Sequence, residues 1–72
     1  IVDGGVHIRE INQTLNINLT SNEAKTINGF ILEHTENLPQ INDIINIQGH
    51  TFKIIENLDN AVKTVHLEIN NE

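Results

Sequence analysis

The spacing of apolar residues changes at Pro39, the single proline of the chain, and this change limits the fold more than any other feature. Before Pro39, apolar residues recur every three or four positions, which is typical of helices that bury one side. After it they alternate with polar residues, as in strands with one buried face. Because the helices and the strands fall in separate halves of the chain, the pattern predicts the α+β class.

Two helices are predicted before Pro39. The spacing of Ile8, Ile11 and Leu15 predicts an amphipathic helix from about His7 to Leu15. The segment Thr20-Ser21-Asn22-Glu23 has the spacing of a capping box, so we expect the second helix to start there. The stripe of that helix comprises Ala24, Ile27, Ile31 and Leu38, with Phe30 and Leu32 beside it, and Asn37 and Pro39 provide a stop.

The glycines of the first half indicate special backbone positions. Asp3-Gly4-Gly5 follows a short apolar start and suits a strand that leaves a sheet for a helix. Gly29 lies inside the second predicted helix at a cost of ~1 kcal/mol relative to alanine. We therefore expect the helix to press closely on the sheet at Gly29.

Three strands are predicted after Pro39. Ile45 and Ile47 alternate with polar residues, and Gly49-His50 suits a two-residue type II′ turn into a strand from Thr51 to Leu58. Asp59-Asn60 predicts a second tight turn, because both residues tolerate positive φ. The last strand has Val65, Leu67 and Ile69 on one face and Thr64, His66 and Glu68 on the other.

Residues 1–72 are therefore predicted to form one domain of order β-α-α-β-β-β, an antiparallel sheet with two helices packed on one face. The predicted core consists of Ile11, Leu15, Ile27, Phe30, Ile31, Phe52, Ile54, Val65 and Leu67. Ile44 and Val62 are expected on outward strand faces. The chain begins with Ile1 and contains no methionine, so we interpret it as a domain excised from a longer protein.

Charge and composition exclude several classes of function. The net charge is −6, and the four basic residues Arg9, Lys25, Lys53 and Lys63 are scattered without an aromatic platform, which argues against nucleic acid as a partner. No apolar run approaches the ~20 residues of a membrane span, so a soluble domain without direct membrane insertion is expected. Cysteine is absent, and no phosphate-loop, dinucleotide or nucleophile-elbow motif occurs, so we predict no enzyme.

The histidines provide weak candidates for metal binding. His66 and Glu68 are two positions apart on a predicted strand, so an imidazole and a carboxylate could reach one cation. Two ligands make an incomplete site, and polar residues on a solvated sheet face are the favoured interpretation. Glu33, His34 and Glu36 on the second helix are likewise interpreted as a solvated face. His7 and His50 occupy ordinary exposed positions, and no catalytic residue is assigned.

Several segments carry a family resemblance, of which Thr26-Ile27-Asn28-Gly29-Phe30-Ile31-Leu32 with Pro39 and Gly49 downstream is the most specific. The others are Val2-Asp3-Gly4, Ile8-Arg9-Glu10-Ile11-Asn12, Leu15 to Leu19, Leu38-Pro39, Asn42-Asp43, Phe52-Lys53-Ile54 and Val65-His66-Leu67. Over nearly its whole length the chain resembles the CorC/HlyC transporter-associated domain, the C-terminal module of bacterial hemolysin-like and magnesium and cobalt efflux proteins. Three turn or cap positions depart from the family pattern, namely Thr20, Asn37 and Asn42.

The resemblance implies a parent protein with an N-terminal membrane region, a central pair of CBS domains and this module last, on the cytoplasmic face of the bacterial plasma membrane. It also implies a fold related to a subdomain of flavin-binding oxidases of the PCMH type. Fold alone does not carry ligand binding with it. Flavin adenine dinucleotide is therefore possible as a cofactor by fold relation only.

The leading hypothesis is a non-catalytic accessory domain that modulates magnesium or cobalt ion transport or efflux by the attached membrane protein. Its expected partners are the CBS-domain pair and the transmembrane domain of the parent chain. The first alternative is a small-molecule module that binds flavin adenine dinucleotide. The second is a dimerisation module, with Val62 and Ile44 as candidates for an exposed apolar patch.

Overall fold

A computed structural model describes residues 1–69 as a four-stranded antiparallel sheet and two α-helices. The elements in chain order are β1 (Val2–Asp3), α1 (Ile8–Leu15), α2 (Ile27–His34), β2 (Ile44–Ile47), β3 (His50–Leu58) and β4 (Ala61–Glu68). The strands lie in the order β1-β4-β3-β2. The predicted element order and α+β class are confirmed.

The first helix has the predicted extent. His7 precedes it in an extended conformation, and Asn16 closes it in the left-handed region at φ 56°. Asn12 then holds the chain beyond the helix, because its side chain accepts a hydrogen bond from the Leu19 N–H and donates one to the Leu19 carbonyl, at 2.8 and 3.0 Å. Leu19 is buried as a result, whereas Leu15, predicted to lie in the core, is 37% exposed in the last turn.

The predicted start of the second helix is wrong. Thr26, not Thr20, caps α2, and its hydroxyl oxygen accepts a hydrogen bond from the Gly29 N–H at 3.2 Å. The residues just before Thr26 cannot be helical, since Lys25 accepts a hydrogen bond from the Ile8 N–H and Thr26 forms a β-bridge with His7. The helix also ends earlier than expected, at His34, and Leu38 packs on the core from the following loop.

The close backbone crossing lies at Gly4 rather than at Gly29. A Cβ atom on Gly4 would stand 2.0 Å from the carbonyl oxygen of Val62 in β4. On Gly29 it would meet only Ala24 and Thr26, in the loop before α2. Glycine at position 4 therefore allows the chain to leave β1 in close contact with the backbone of β4.

Asn28 joins the helix layer to the sheet beside Gly4. Its backbone N–H donates to the Gly4 carbonyl at 2.8 Å, and its side-chain oxygen accepts from the Val62 N–H at 2.7 Å. Gly4 in turn donates its N–H to the Lys63 carbonyl. These three hydrogen bonds connect α2, the end of β1 and the start of β4.

Two tight turns connect the last three strands. The first is centred on Gln48 and Gly49, with φ of 53° and 86°, so it lies one residue before the predicted Gly49-His50 and resembles a type I′ turn. His50 instead begins β3, opposite Ile47. The second turn is centred on Asp59 and Asn60, both with positive φ, as predicted.

Pairing between β3 and β4 is irregular, and the irregularity determines which face of the sheet Val62 occupies. Between the pairs Ile54–Val65 and Asn57–Val62, Glu56 pairs with Thr64, so β3 carries an extra residue before that pair and β4 carries one after it. Val62 therefore points into the core and is 2% exposed, and its predicted outward position is wrong. Ile44 lies outward as predicted, at 64% exposure.

The core lies between one face of the sheet and the two helices. Of its predicted members, Ile11, Ile27, Phe30, Ile31, Phe52, Ile54 and Val65 are buried and Leu67 packs against them. Ile8, Leu19, Ile47 and Val62 complete it. The rings of Phe30 and Phe52 meet at a centroid distance of 5.8 Å, joining α2 to β3 at its centre.

Candidate functional site

A groove of about 900 Å³ runs beside α1 and the loop that follows it. Its lining, which we call the α1 groove, includes an apolar part formed by Ile8, Leu19 and Ala24 and an amide part formed by Asn12, Gln13 and Asn16. His7, Arg9, Thr20, Ser21 and Lys25 complete it. The lining therefore extends along the whole of α1.

Backbone contacts fix the two walls of the α1 groove relative to each other. The bridge between His7 and Thr26 and the 2.8 Å hydrogen bond from the Ile8 N–H to the Lys25 carbonyl tie the start of α1 to the segment before α2. At the other end, the Asn12 side chain holds Leu19 against the helix. The groove is thus a built feature of the fold.

The α1 groove differs in charge from the chain as a whole. It contains Arg9 and Lys25, two of the four Lys and Arg residues, together with His7, and all three side chains are exposed. None of its lining residues is acidic, although the chain carries ten Asp and Glu residues. In an acidic protein, this surface can attract a negatively charged group by its side chains.

A polar cluster lies at the border of the groove, between the loop and α2. The Ser21 hydroxyl donates to the Glu33 carboxylate at 2.5 Å and accepts from the Ala24 N–H. The bond from Ser21, helped by backbone N–H groups of Glu23 and Asn22, lowers the pKa of the Glu33 carboxyl from its ordinary value. Gln48 clamps Thr20 through both amide atoms, at 2.9 and 2.7 Å, and so connects this loop to the β2–β3 turn.

His66 and Glu68, the metal candidates from the sequence, lie exposed on β4. Their cross-strand neighbours are Lys53 and Thr51. Within residues 1–69, no group of three or more His, Cys, Asp and Glu side chains is gathered as a metal site would require. Metal binding by His66 and Glu68 stays a prediction.

The remaining histidine candidates are dispersed over the molecule. His34 is exposed on α2 with Glu33, and its Nδ1 atom lies 2.9 Å from the Phe30 carbonyl oxygen. Glu36, predicted on the same helix, lies beyond its end because α2 stops at His34. His50 starts β3, and His7 stands before α1 in the groove. No local pattern in the sequence indicates the α1 groove, because Arg9 and Lys25 are far apart in sequence and are brought together by the His7–Thr26 bridge and the hydrogen bond from Ile8 to Lys25.

The comparisons with known proteins agree over nearly the full chain. The family model for the transporter-associated domain CorC_HlyC matches residues 1–71. A UPF0053 protein of Haemophilus influenzae is 40% identical over 88% of this chain, and the UPF0053 inner membrane protein YfjD of Escherichia coli is 37% identical over 90%. The magnesium and cobalt efflux protein CorC of Buchnera aphidicola is 36% identical over 86%.

This chain spans only 15 to 21% of the length of these curated relatives. One of them is named an inner membrane protein. In this chain, none of the helices within residues 1–69 combines the length and the apolar character that crossing a membrane demands. The similarity therefore concerns one part of larger proteins.

Solved structures show the same fold. A conserved protein of unknown function from Haemophilus influenzae Rd KW20 superposes with a TM-score of 0.91 at 35% identity, covering 96% of this chain and 85% of that one. A CorC_HlyC domain from Nitrosomonas europaea reaches a TM-score of 0.84 at 21% identity, with 96% and 84% covered. With the family model matching residues 1–71 and the fold shared, the chain belongs to the CorC_HlyC transporter-associated domain family.

Proposed function

We propose that this chain is a non-catalytic regulatory domain of a larger membrane protein and modulates its transport or efflux of magnesium or cobalt ions. The observation that carries the proposal is the family match over residues 1–71, combined with relatives that are several times longer and include magnesium and cobalt efflux proteins. A domain of this kind acts through contacts with its neighbours, because it changes the balance between states of the rest of the protein.

The proposed partners are the CBS-domain pair and the transmembrane domain of the parent protein, on the cytoplasmic face of the bacterial plasma membrane. The α1 groove supports contact with a protein partner, since its walls are fixed and its charge opposes that of the chain as a whole. Coupling between domains is typically worth ~1–3 kcal/mol, which corresponds to about 5- to 150-fold in an equilibrium.

Cation flux in reconstituted vesicles tests the proposal. The full parent protein is compared with a form that lacks the residues after Asp3 of this domain, using magnesium and cobalt as transported ions. We expect the truncated protein to insert and to transport, with its rate or its ligand response changed by no more than about 150-fold. An unchanged rate and ligand response for both ions would refute a regulatory role.

Complete loss of flux would mean something different, provided that the truncated protein is inserted and folded. The domain would then be integral to the transport machinery. Insertion and folding are checked by protease protection and by thermal unfolding of the truncated form in detergent.

Dimerisation is the alternative that one structural observation favours. Ile44 is exposed on β2, which is an edge strand of the sheet, and Ile41 just before it is 54% exposed. Edge strands can pair with a second chain. Light scattering of the 72-residue chain and of its Ile44→Lys variant measures this directly: a dimer that the variant abolishes would support the alternative.

Binding of flavin adenine dinucleotide stays a prediction of the fold relation. Among the residues that line the α1 groove, His7 supplies the one ring on which an isoalloxazine could stack. Calorimetric titration of the 72-residue chain with flavin adenine dinucleotide, magnesium and zinc tests this alternative and the His66–Glu68 pair together. We expect weak or no binding, and stoichiometric micromolar binding of any of the three would replace the regulatory proposal with a binding module.

A further inference from the structure

We propose that the α1 groove binds an extended acidic segment of a protein partner, with its carboxylates at Arg9 and Lys25. This proposal extends the proposed function. It rests on that function in one respect, namely that the partner is a protein. The juxtaposition of two cations and His7 with no lining carboxylate, in a chain of net charge −6, is the observation from which it starts.

The groove has the dimensions of a short peptide site. Its lining runs from His7 to Asn16, along a helix of eight residues. At 1.5 Å per residue this helix is about 12 Å long, which is the length of about four residues of extended chain at ~3.3 Å each. A segment of this length can lie along α1 from end to end.

The chemistry of the groove is graded along α1. Arg9 and Lys25 lie at the start of the helix, where the Ile8 N–H bonds the Lys25 carbonyl. Gln13 and Asn16 lie toward its end, and Ile8 and Leu19 supply apolar surface. An acidic residue followed by apolar and polar residues therefore fits: carboxylates meet cations, side-chain amides bond the peptide backbone, and an apolar side chain contacts Leu19.

The same contacts disfavour a phosphate or a nucleotide. Sites for phosphate at a helix start use free backbone N–H groups. In α1 the N–H of Ile8 bonds Lys25, and the N–H groups of Glu10 and Ile11 both bond the His7 carbonyl. The positive side chains of Arg9 and Lys25 lie on an open surface, which suits carboxylates presented by a chain. A nucleic acid would in addition meet the net negative charge of the domain.

Fluorescence anisotropy with labelled peptides tests the proposal on the 72-residue chain, since solved structures of similar domains consist almost entirely of this fold. The probe is the hexapeptide Glu-Glu-Leu-Glu-Glu-Leu, and the uncharged control peptide is Gln-Gln-Leu-Gln-Gln-Leu. We expect the acidic peptide to bind more tightly, and its binding to weaken when salt rises from about 50 to about 500 mM, because exposed charges are screened.

Charge reversal locates the binding. The double variant Arg9→Glu/Lys25→Glu should weaken binding of the acidic peptide by about 10-fold or more, because attraction becomes repulsion at both positions. The matched control Lys53→Glu/Lys63→Glu changes the net charge equally but lies on the sheet, and it should weaken binding less than about 2-fold. If the groove variant fails to fold, Arg9→Gln/Lys25→Gln replaces it, with a loss of about 3-fold expected.

Several outcomes would overturn the proposal. Equal losses in the two double variants would show attraction by net charge alone, and equal binding of the two peptides would show that the carboxylates are irrelevant. Stoichiometric binding of inorganic phosphate or ATP without peptide binding would assign the groove to a small anion. No binding of the acidic peptide at millimolar concentration would also refute it. None of these results bears on ion flux, so the regulatory role and the groove can fail independently.

Discussion

At the scale of single residues, the close contact between the end of β1 and the backbone of β4 depends on the absence of a side chain at Gly4. Gly4→Ala would place a Cβ atom 2.0 Å from the Val62 carbonyl oxygen. This oxygen belongs to the backbone, so it cannot rotate away as the end of a side chain can. We expect a loss of about 1–3 kcal/mol or more in the free energy of unfolding, as for overpacked cores. Urea denaturation measures it.

Gly5→Ala is the matched control for this prediction. Its added Cβ atom would meet only the Asp3 carboxylate oxygen, at 3.0 Å, which can move. We expect a change of less than about 1 kcal/mol. Equal losses for the two variants would show that the crossing at Gly4 is not the tight contact.

The pair of Ser21 and Glu33 gives a prediction about pH. Because the Ser21 hydroxyl lowers the pKa of the Glu33 carboxyl, that carboxyl is ionised at a lower pH in the folded chain than in the unfolded chain. Its stabilising effect is therefore complete above the pKa of the unfolded chain and is lost as the pH falls through the pKa of the folded chain. Ser21→Ala should raise the pKa of Glu33 in the folded chain, so the folded and unfolded pKa values should lie closer together.

Carbon-detected NMR titration of the Glu33 carboxyl follows that change directly. Thr14→Ala, which removes an exposed hydroxyl from α1, should leave the titration of Glu33 in place. A Glu33 titration curve that Ser21→Ala does not move would contradict the hydrogen bond as the cause.

At the scale of elements, α2 is stabilised at its start by Thr26. Thr26→Ala removes the acceptor of the Gly29 N–H and should cost ~0.5–2 kcal/mol, the range for lost N-terminal caps. Thr20→Ala, at the residue whose spacing predicts a cap, should change stability by less than about 0.5 kcal/mol. Chemical denaturation measures the loss of stability in both variants. A larger loss for Thr20→Ala than for Thr26→Ala would place the cap at Thr20.

These two threonines illustrate what the sequence could and could not predict. The pattern Thr-x-x-Glu at Thr20 is a local signal, whereas Thr26 becomes the cap because it bridges to His7 and because Lys25 accepts a hydrogen bond from the Ile8 N–H. Local periodicity predicted the element types and seven of the core residues. It could not predict contacts between distant segments, and the α1 groove is made of such contacts.

Val62 shows the same limit in the sheet. Strict alternation from Val65 places Val62 on the outer face, but an extra residue in β4, between Thr64 and Val62, returns Val62 to the core. An extra residue reverses the faces of its own strand beyond that point. Two irregularities in pairing cannot be predicted from alternation along one strand.

At the scale of the whole molecule, stability depends on a small core. A domain of this size typically has a margin of ~3–5 kcal/mol. Phe52 is fully buried at the contact between β3 and α2, so Phe52→Ala should cost ~3–5 kcal/mol and leave the chain largely unfolded at room temperature. Circular dichroism during heating tests this. Ile44→Ala, at an exposed position, is the control. If Phe52→Ala had the same melting temperature as Ile44→Ala, the assigned core would be contradicted.

The hydrogen bonds of Asn28 also affect how fast this residue is deamidated. An asparagine before a glycine is prone to deamidation, in which the backbone nitrogen of the glycine attacks the side-chain carbonyl carbon. In the folded domain the Asn28 side-chain oxygen is held by the Val62 N–H and the Gly29 N–H is bonded to Thr26, inside a helix. The nitrogen and the carbon are thereby kept from the geometry of attack, so the folded state protects the covalent structure of the chain at Asn28.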